Sequence, residues 1–189
     1  MINPTPPRLT ERHEATVERV LFDEVVDTDY GQFDLGWGDG YGFDGDFDRF
    51  FAGQINGLVG AGMKAGLYLN LARRSGGSHV RVVSSDSEPT LDAEWEDVVE
   101  VSVTIPAGAA SSWSTWSGEE SGALALQPGT YRVRVSARGR DAGRAGEFDE
   151  GVVDFYLVEF WPAPVQPDAV VRTGSDDAAY WHREVGGRR

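Results

Sequence analysis

A chain of 189 residues with a formal net charge of -14 and no cysteine is long enough to bury about 70% of its unfolded surface. The lack of cysteine excludes disulfides, thiolate metal sites and cysteine nucleophiles, and fits a reducing compartment. So large an excess of acid argues against direct nucleic-acid binding, which depends on neutralising phosphates with Lys and Arg. No stretch approaches the roughly 20 apolar residues of a membrane span, and the N-terminus lacks the apolar core of a signal peptide, so a cytoplasmic protein without a membrane span is expected.

Residues 1–18 mix early prolines with balanced charge and read as a loosely ordered arm. Strand signals then recur at short intervals. Val20 to Thr28 is rich in β-branched residues, and Phe33, Leu35 and Trp37 alternate with Gln32, Asp34 and Gly36 as a half-buried strand requires. In the segment from Asp48 to Met63, Phe50, Phe51, Ile55, Leu58 and Val59 fit helical spacing, but four glycines between Phe51 and Gly62 make an irregular or strand-like course the expectation. "GLYLNLAR", "SGGS" and "HVRVVSS" read together as a hairpin over Gly66 to Ser85. Val99, Val101, Val103 and Ile105 are in phase and Pro106 stops them; "SWSTW" and "GALAL" are two short strands.

Pro128 and Gly129 make a turn into a strand with Tyr131, Val133 and Val135 toward the core and Arg132, Arg134 and Ser136 toward water. Val152 to Phe160 is apolar on both faces and is expected in the middle of a sheet. The expected architecture is all-β: a single antiparallel β-sandwich domain over 19–163. Residues 164–189 follow as a loosely ordered tail that begins Pro-rich and offers Tyr180 and Trp181 as docking side chains.

Charge is unevenly spread along the chain. Nine acids and no base lie between Asp23 and Asp48, and nine more acids lie in the base-free stretch Val82 to Tyr131, whereas Arg132, Arg134, Arg138, Arg140 and Arg144 crowd together. Unless folding mixes these segments, a strongly negative surface results, suited to a basic partner. Within the first stretch, Asp44, Asp46 and Asp48 stand two apart among glycines, as ligands of a hard cation would, but the EF-hand spacing is absent and a plain solvated face has the same pattern. His13, His79 and His182 are scattered, no nucleophile or phosphate-loop motif occurs, and no carboxylate pair is marked for glycoside hydrolysis, so no enzyme activity, cofactor or metal is assigned. Aromatics Trp37, Tyr41, Phe43, Phe47, Phe50 and Phe51 accompany the acids. They serve a core, a sugar platform or a protein-binding patch in which rings anchor and carboxylates steer.

The order of "DYGQF", "GLYLNLAR", "VEVSVTIP", "LALQPGTYRVRVSARG" and "VVDFYLVEF" resembles the competence protein J (ComJ) family of DNA-entry nuclease inhibitors. Asp29, Tyr30, Gly31, Gln32 and Phe33 stand where that family has an S-Y-x-Q-F core, with Asp for Ser; Leu124, Leu126, Pro128, Gly129 and Tyr131 match its leucine strand and P-x-G-x-Y, and Asp154 to Val158 its last strand. The resemblance spans roughly residues 24–161 and implies an acidic all-β protein that blocks a nuclease. The insertion "GDGYGFDGDFD" and both end segments exceed that family's pattern. From charge and aromatic density, Asp29, Tyr30, Gln32, Asp39, Tyr41, Asp44, Asp46 and Asp48 are the expected contacts to a basic protein, a nuclease. The alternative is a carbohydrate- or calcium-binding module.

Overall fold

The structure, a computed structural model, describes residues 17–38 and 40–186. It is mainly β, with two sheets. The six-stranded sheet has the order β1 (Glu18–Asp29), β5 (Ser75–Ser85), β10 (Phe155–Pro162), β9 (Gly129–Arg138), β6 (Asp97–Ile105) and β11 (Ala169–Arg172). The five-stranded sheet runs β3 (Val59–Gly60), β4 (Gly66–Asn70), β2 (Gln32–Trp37), β7 (Ser111–Thr115) and β8 (Ser121–Leu124). Among the described residues, three short α-helices complete it: α1 (Phe47–Phe50), α2 (Arg140–Ala145) and α3 (Asp176–Trp181).

Residues from both sheets form one apolar core, in which Phe22, Val80, Val82, Tyr156, Val158 and Phe160 of the first meet Phe33, Leu35, Leu67 and Leu69 of the second. Burial at this scale, at roughly 25 cal/mol per Å² of apolar surface, is the main favourable contribution to folding. A sharp corner at Tyr30 and Gly31 takes the chain from β1 to β2, hence from one sheet to the other. Both residues have left-handed backbone, with φ of 55° and 64°. A side chain at Gly31 would also collide with the Leu71 carbonyl, so only glycine fits there.

Several expectations are corrected. The sheets are not antiparallel throughout, because β10 pairs parallel with β5 while running antiparallel to β9. Its insertion between these two strands fixes both directions. Gly66 to Ser85 is not a hairpin, since β4 pairs with β2 and β3, and β5 with β1 and β10, in different sheets. The glycines of "SGGS" make room instead. A Cβ at Gly76 would meet the guanidinium of buried Arg73 at 2.7 Å, and that guanidinium donates to the Gly77, Gly151 and Asp149 carbonyls.

Nor do Arg132, Arg134 and Ser136 face water; all three are buried. Arg132 donates to Glu100 and to the Pro167 carbonyl at 2.8 Å, and Arg134 to Glu88, Glu100 and the Pro89 carbonyl, so the connection 86–96 and the segment after β10 cover that face. Folding thereby pairs the second acidic stretch with the arginine cluster.

Of the N-terminal arm, residues 1–16 lie outside the described residues, and Glu18 already belongs to β1. The C-terminal segment is not a loose tail over 169–186. Strand β11 extends the six-stranded sheet beside β6, and α3 docks on the body. The helix is held at its N-terminus: Asp97 accepts from the Gly174 and Ser175 amides and from the Ser175 hydroxyl at 2.6 Å, and Ser175 caps the Ala178 amide. Within the helix, Asp177 meets Arg140 at 2.6 Å with both side chains buried, and Arg140 also donates to the Asn70 carbonyl.

Removing one partner of a buried pair leaves the other charge uncompensated. Asp177→Ala is therefore expected to cost about 3–5 kcal/mol in urea unfolding, while the double variant Arg140→Met/Asp177→Leu recovers most of that loss. Equal stability of wild type and Asp177→Ala would contradict this account.

Candidate functional site

The acidic stretch folds back over the outer face of β2 and β4. Alternation in "YGFDGDFDRFF" turns its rings inward and its carboxylates outward. Phe50, Phe51 and Tyr68 are buried in a second apolar cluster with Tyr41, Phe43 and Phe47 packed against it, while Asp44, Asp46 and Asp48 are exposed. Phe43 stacks on Tyr68 with centroids 3.8 Å apart, and Phe47 stacks on Trp181 of α3 at 5.5 Å. The aromatics of this region are thus largely consumed in packing, which is why every residue of β2 is buried although its Gln32, Asp34 and Gly36 face away from the main core.

Gln32 and Asp34 clamp the loop at one point. The Phe43 amide donates to Asp34 Oδ2 at 3.2 Å, and the Gln32 amide nitrogen donates both to that oxygen and to the Phe43 carbonyl. Asp34 Oδ1 and the Tyr41 hydroxyl, both buried, have no hydrogen-bond partner among the described residues. Burial pushes the Asp34 carboxyl up to about 6, against the lowering effect of its bonds to Gln32 and Phe43. Burial, followed by the Asp34 charge, raises the Tyr41 and Tyr68 hydroxyls as well.

Between this loop, the end of β4 and α3 lies a cleft of about 640 Å³. Tyr30, Gln32, Asp44, Arg74, Trp116 and Trp181 line it. Tyr30 is 60% exposed; its ring contacts Trp116 at 5.4 Å and the Arg74 guanidinium at 5.6 Å. Tyr30 and Ser117, next to Trp116, are the two non-glycine residues with left-handed backbone among the described residues. Such conformations cost of order 1–3 kcal/mol and persist where surrounding structure enforces them, often at binding sites. Here they present two aromatic rings at one mouth.

The eight expected contact residues divide accordingly. Tyr30, Gln32 and Asp44 line the cleft, with Tyr30 and Asp44 exposed and Gln32 buried. Asp29 is half-buried and accepts from the Ser75 hydroxyl, so it secures the corner. Tyr41 packs inward against Phe50. Asp46 caps α1 through the Arg49 amide, and Asp44 is ion-paired with Arg49, whose hydrogen bond draws the Asp44 carboxyl below its usual value. Asp48 is exposed beside them, and Asp39 lies outside the described residues.

Arg74, Trp116, Arg144 and the side chains of α3 complete the cleft although none was among the expected contacts; Arg144 was visible only as part of the arginine cluster, and Tyr180 and Trp181 only as docking side chains. Arg144 pairs with Asp177 at 3.3 Å and lies over the Tyr180 ring. The acids lining the cleft, Asp44 and Asp177, are both paired with arginine, and no histidine lines it. Aromatic rings and arginine–carboxylate pairs thus line the cleft together. Among the described residues no group of three or more His, Asp or Glu converges as a metal cage.

No protein-family model matches the chain, and no curated protein matches it. Two solved structures are similar in fold. One is ComJ, inhibitor of the DNA degrading activity of NucA, from Bacillus subtilis, with a TM-score of 0.54 and 11% identity, covering 78% of this chain and 99% of that chain. The other is described as crocagin biosynthetic gene J, with a TM-score of 0.51 and 17% identity over the same shares, 78% and 99%. The likeness is one of fold.

The raised Asp34 carboxyl has a definite consequence for stability. Because the folded protein holds this proton up to about pH 6 while the ordinary value is 3.8, the fold loses stability as pH rises from about 4 to 6, by about 3 kcal/mol from this group, and none further above it. Urea unfolding across this range should show that decrement in wild type and not in Asp34→Asn. Parallel pH profiles for the two proteins would overturn the assignment.

Proposed function

We propose that the protein is a non-enzymatic inhibitor that binds a basic protein, a nuclease, across the mouth of the cleft. The observation that carries this reading is the fold it shares with a protein described as an inhibitor of DNA degrading activity. On this reading the two sheets are the layers of a β-sandwich, and the corner and loop at one end are the presenting surface.

The chemistry supports it in two ways. A nuclease active site is basic because it receives phosphate, so the outward carboxylates of Asp44, Asp46 and Asp48 act as phosphate surrogates that steer and align the partner. Arg49, between Asp44 and Asp46, fixes their geometry and moderates their charge. Tyr30, exposed and held rigid by its backbone, is the anchor, since aromatic side chains at the centre of an interface carry much of its energy. Asp29, Gln32 and Tyr41 position these groups rather than touch the partner. The inhibitor acts in the cytoplasm on this reading; no helix among the described residues is long and apolar enough to cross a membrane.

The test is a DNA-degradation assay with nucleases of the native host, together with association and dissociation rates at low and high salt. Wild type should suppress cleavage stoichiometrically. The Asp44→Asn/Asp46→Asn/Asp48→Asn variant should associate more slowly and lose most of its salt dependence, and Tyr30→Ala should dissociate at least about tenfold faster. Wild type leaving every such nuclease active and unbound would end the proposal, as would unchanged rates in both variants.

A further inference from the structure

The outer face of the six-stranded sheet carries a second concave region, about 550 Å³, which shares no lining residue with the cleft beside α3. Its roof is the connection 86–96, strapped down by arginines: Arg134 donates to the Pro89 carbonyl at 2.7 Å and to Glu88 at 2.9 Å, and Arg172 to the Trp95 carbonyl at 2.5 Å. Trp95 and Phe155 form its apolar walls. Glu159 of β10 lines it as well.

Glu159 is anomalous. It lies in the interior of the sheet, between β5 and β9, and is only 6% exposed. No hydrogen bond or ion pair reaches its carboxylate among the described residues; the cations around it are committed elsewhere. Arg134, opposite it in register, bonds Glu88 and Glu100; Arg81 bonds Glu18 and Asp23; His79 lies 2.8 Å from Asp23. Arg138, exposed and without an ion pair among the described residues, lies over the rings of Phe155 at 4.5 Å and Trp95 at 5.8 Å. An isolated buried carboxylate is costly, and either a proton or a cation brought to it relieves that cost.

We propose that this cleft binds an organic cation, an alkylammonium or guanidinium group, held by the Glu159 carboxylate and by the faces of Trp95 and Phe155. The rings already accept a guanidinium from Arg138, so their spacing suits the ligand, and the entering cation takes the ring faces as Arg138 swings into solvent. The inference stands apart from the inhibitor reading and does not depend on it.

Protonation follows from the same surroundings. Burial, with Glu18 and Glu100 adding like charge against the opposing effect of Arg134, pushes the Glu159 carboxyl up to about 7. Glu18, His79, Arg81, Asp92 and Arg138 also face the cleft. Since only the carboxylate attracts a cation, binding tightens as pH rises through about 7.

Two probes test the site on the full chain at pH 8 by calorimetry and tryptophan fluorescence: agmatine, and the capped tripeptide acetyl-Gly-Arg-Gly amide. Saturable binding that weakens at least about tenfold in Glu159→Gln would support the proposal. Tighter binding of the tripeptide would assign the cation to a polypeptide side chain, and tighter binding of agmatine to a free amine. Independently of the variant, agmatine should move the carboxyl-carbon titration of Glu159 in wild type to lower pH. Absence of saturable binding by either probe, equal affinity in a folded Glu159→Gln, or an unmoved Glu159 titration would overturn it.

Discussion

The stack of Phe43 on Tyr68, centroids 3.8 Å apart and rings within 8° of parallel, is the contact on which the character of one whole end of the molecule depends. It seats the acidic loop against the outer face of the five-stranded sheet. With the loop seated, Asp34 is shut from water, Phe47 offers a ring for Trp181, and the carboxylates of the loop have only the outside left to them. A sheet face that would be wet in a plain antiparallel protein becomes a second small core. Stacked rings of this kind contribute about 1 kcal/mol each beyond their buried area, and several act together here.

Much of the strand content was legible in the sequence because alternation reports directly on which face is buried. The strand over Gly129–Arg138 and the interior strand over Phe155–Pro162 are cases in point. What alternation does not report is what lies above the other face. Arg132 and Arg134 alternate with core residues and look solvated, yet Arg134 is covered by a connection from which three strands separate it in the chain. The same limit hid that β4 and β5 belong to different sheets: a Gly-Gly pair signals a turn locally, whereas here Gly76 yields space to a buried arginine. Of the candidate site, the acids and Tyr30 were visible as composition. That Arg74, Trp116, Arg144 and α3 join them was not, since they converge only through tertiary contacts.

Folding also redistributes the charge that the linear sequence displays in blocks. Acids of the second stretch meet the arginine cluster, and Asp23, which opens the other acidic stretch, is shared by His79 and Arg81. Two buried carboxyls have no ion pair among the described residues, Asp34 under the loop and Glu159 under the connection 86–96. Glu159 lines one cleft, and Asp34 is bonded to Gln32 and Phe43, which line the other. The molecule therefore carries, on different faces, two places where burial rather than composition sets the electrostatics.

The position of α3 in the chain has a temporal meaning. It supplies one wall of the cleft, yet it follows every strand in sequence and is pinned by groups made much earlier, Asp97 and Arg140. During synthesis, which proceeds from the N-terminus, both sheets can assemble while that wall is still missing. On the inhibitor reading proposed above, the surface offered to the partner is complete only after both sheets have formed, and a nascent chain with a finished core does not yet engage it.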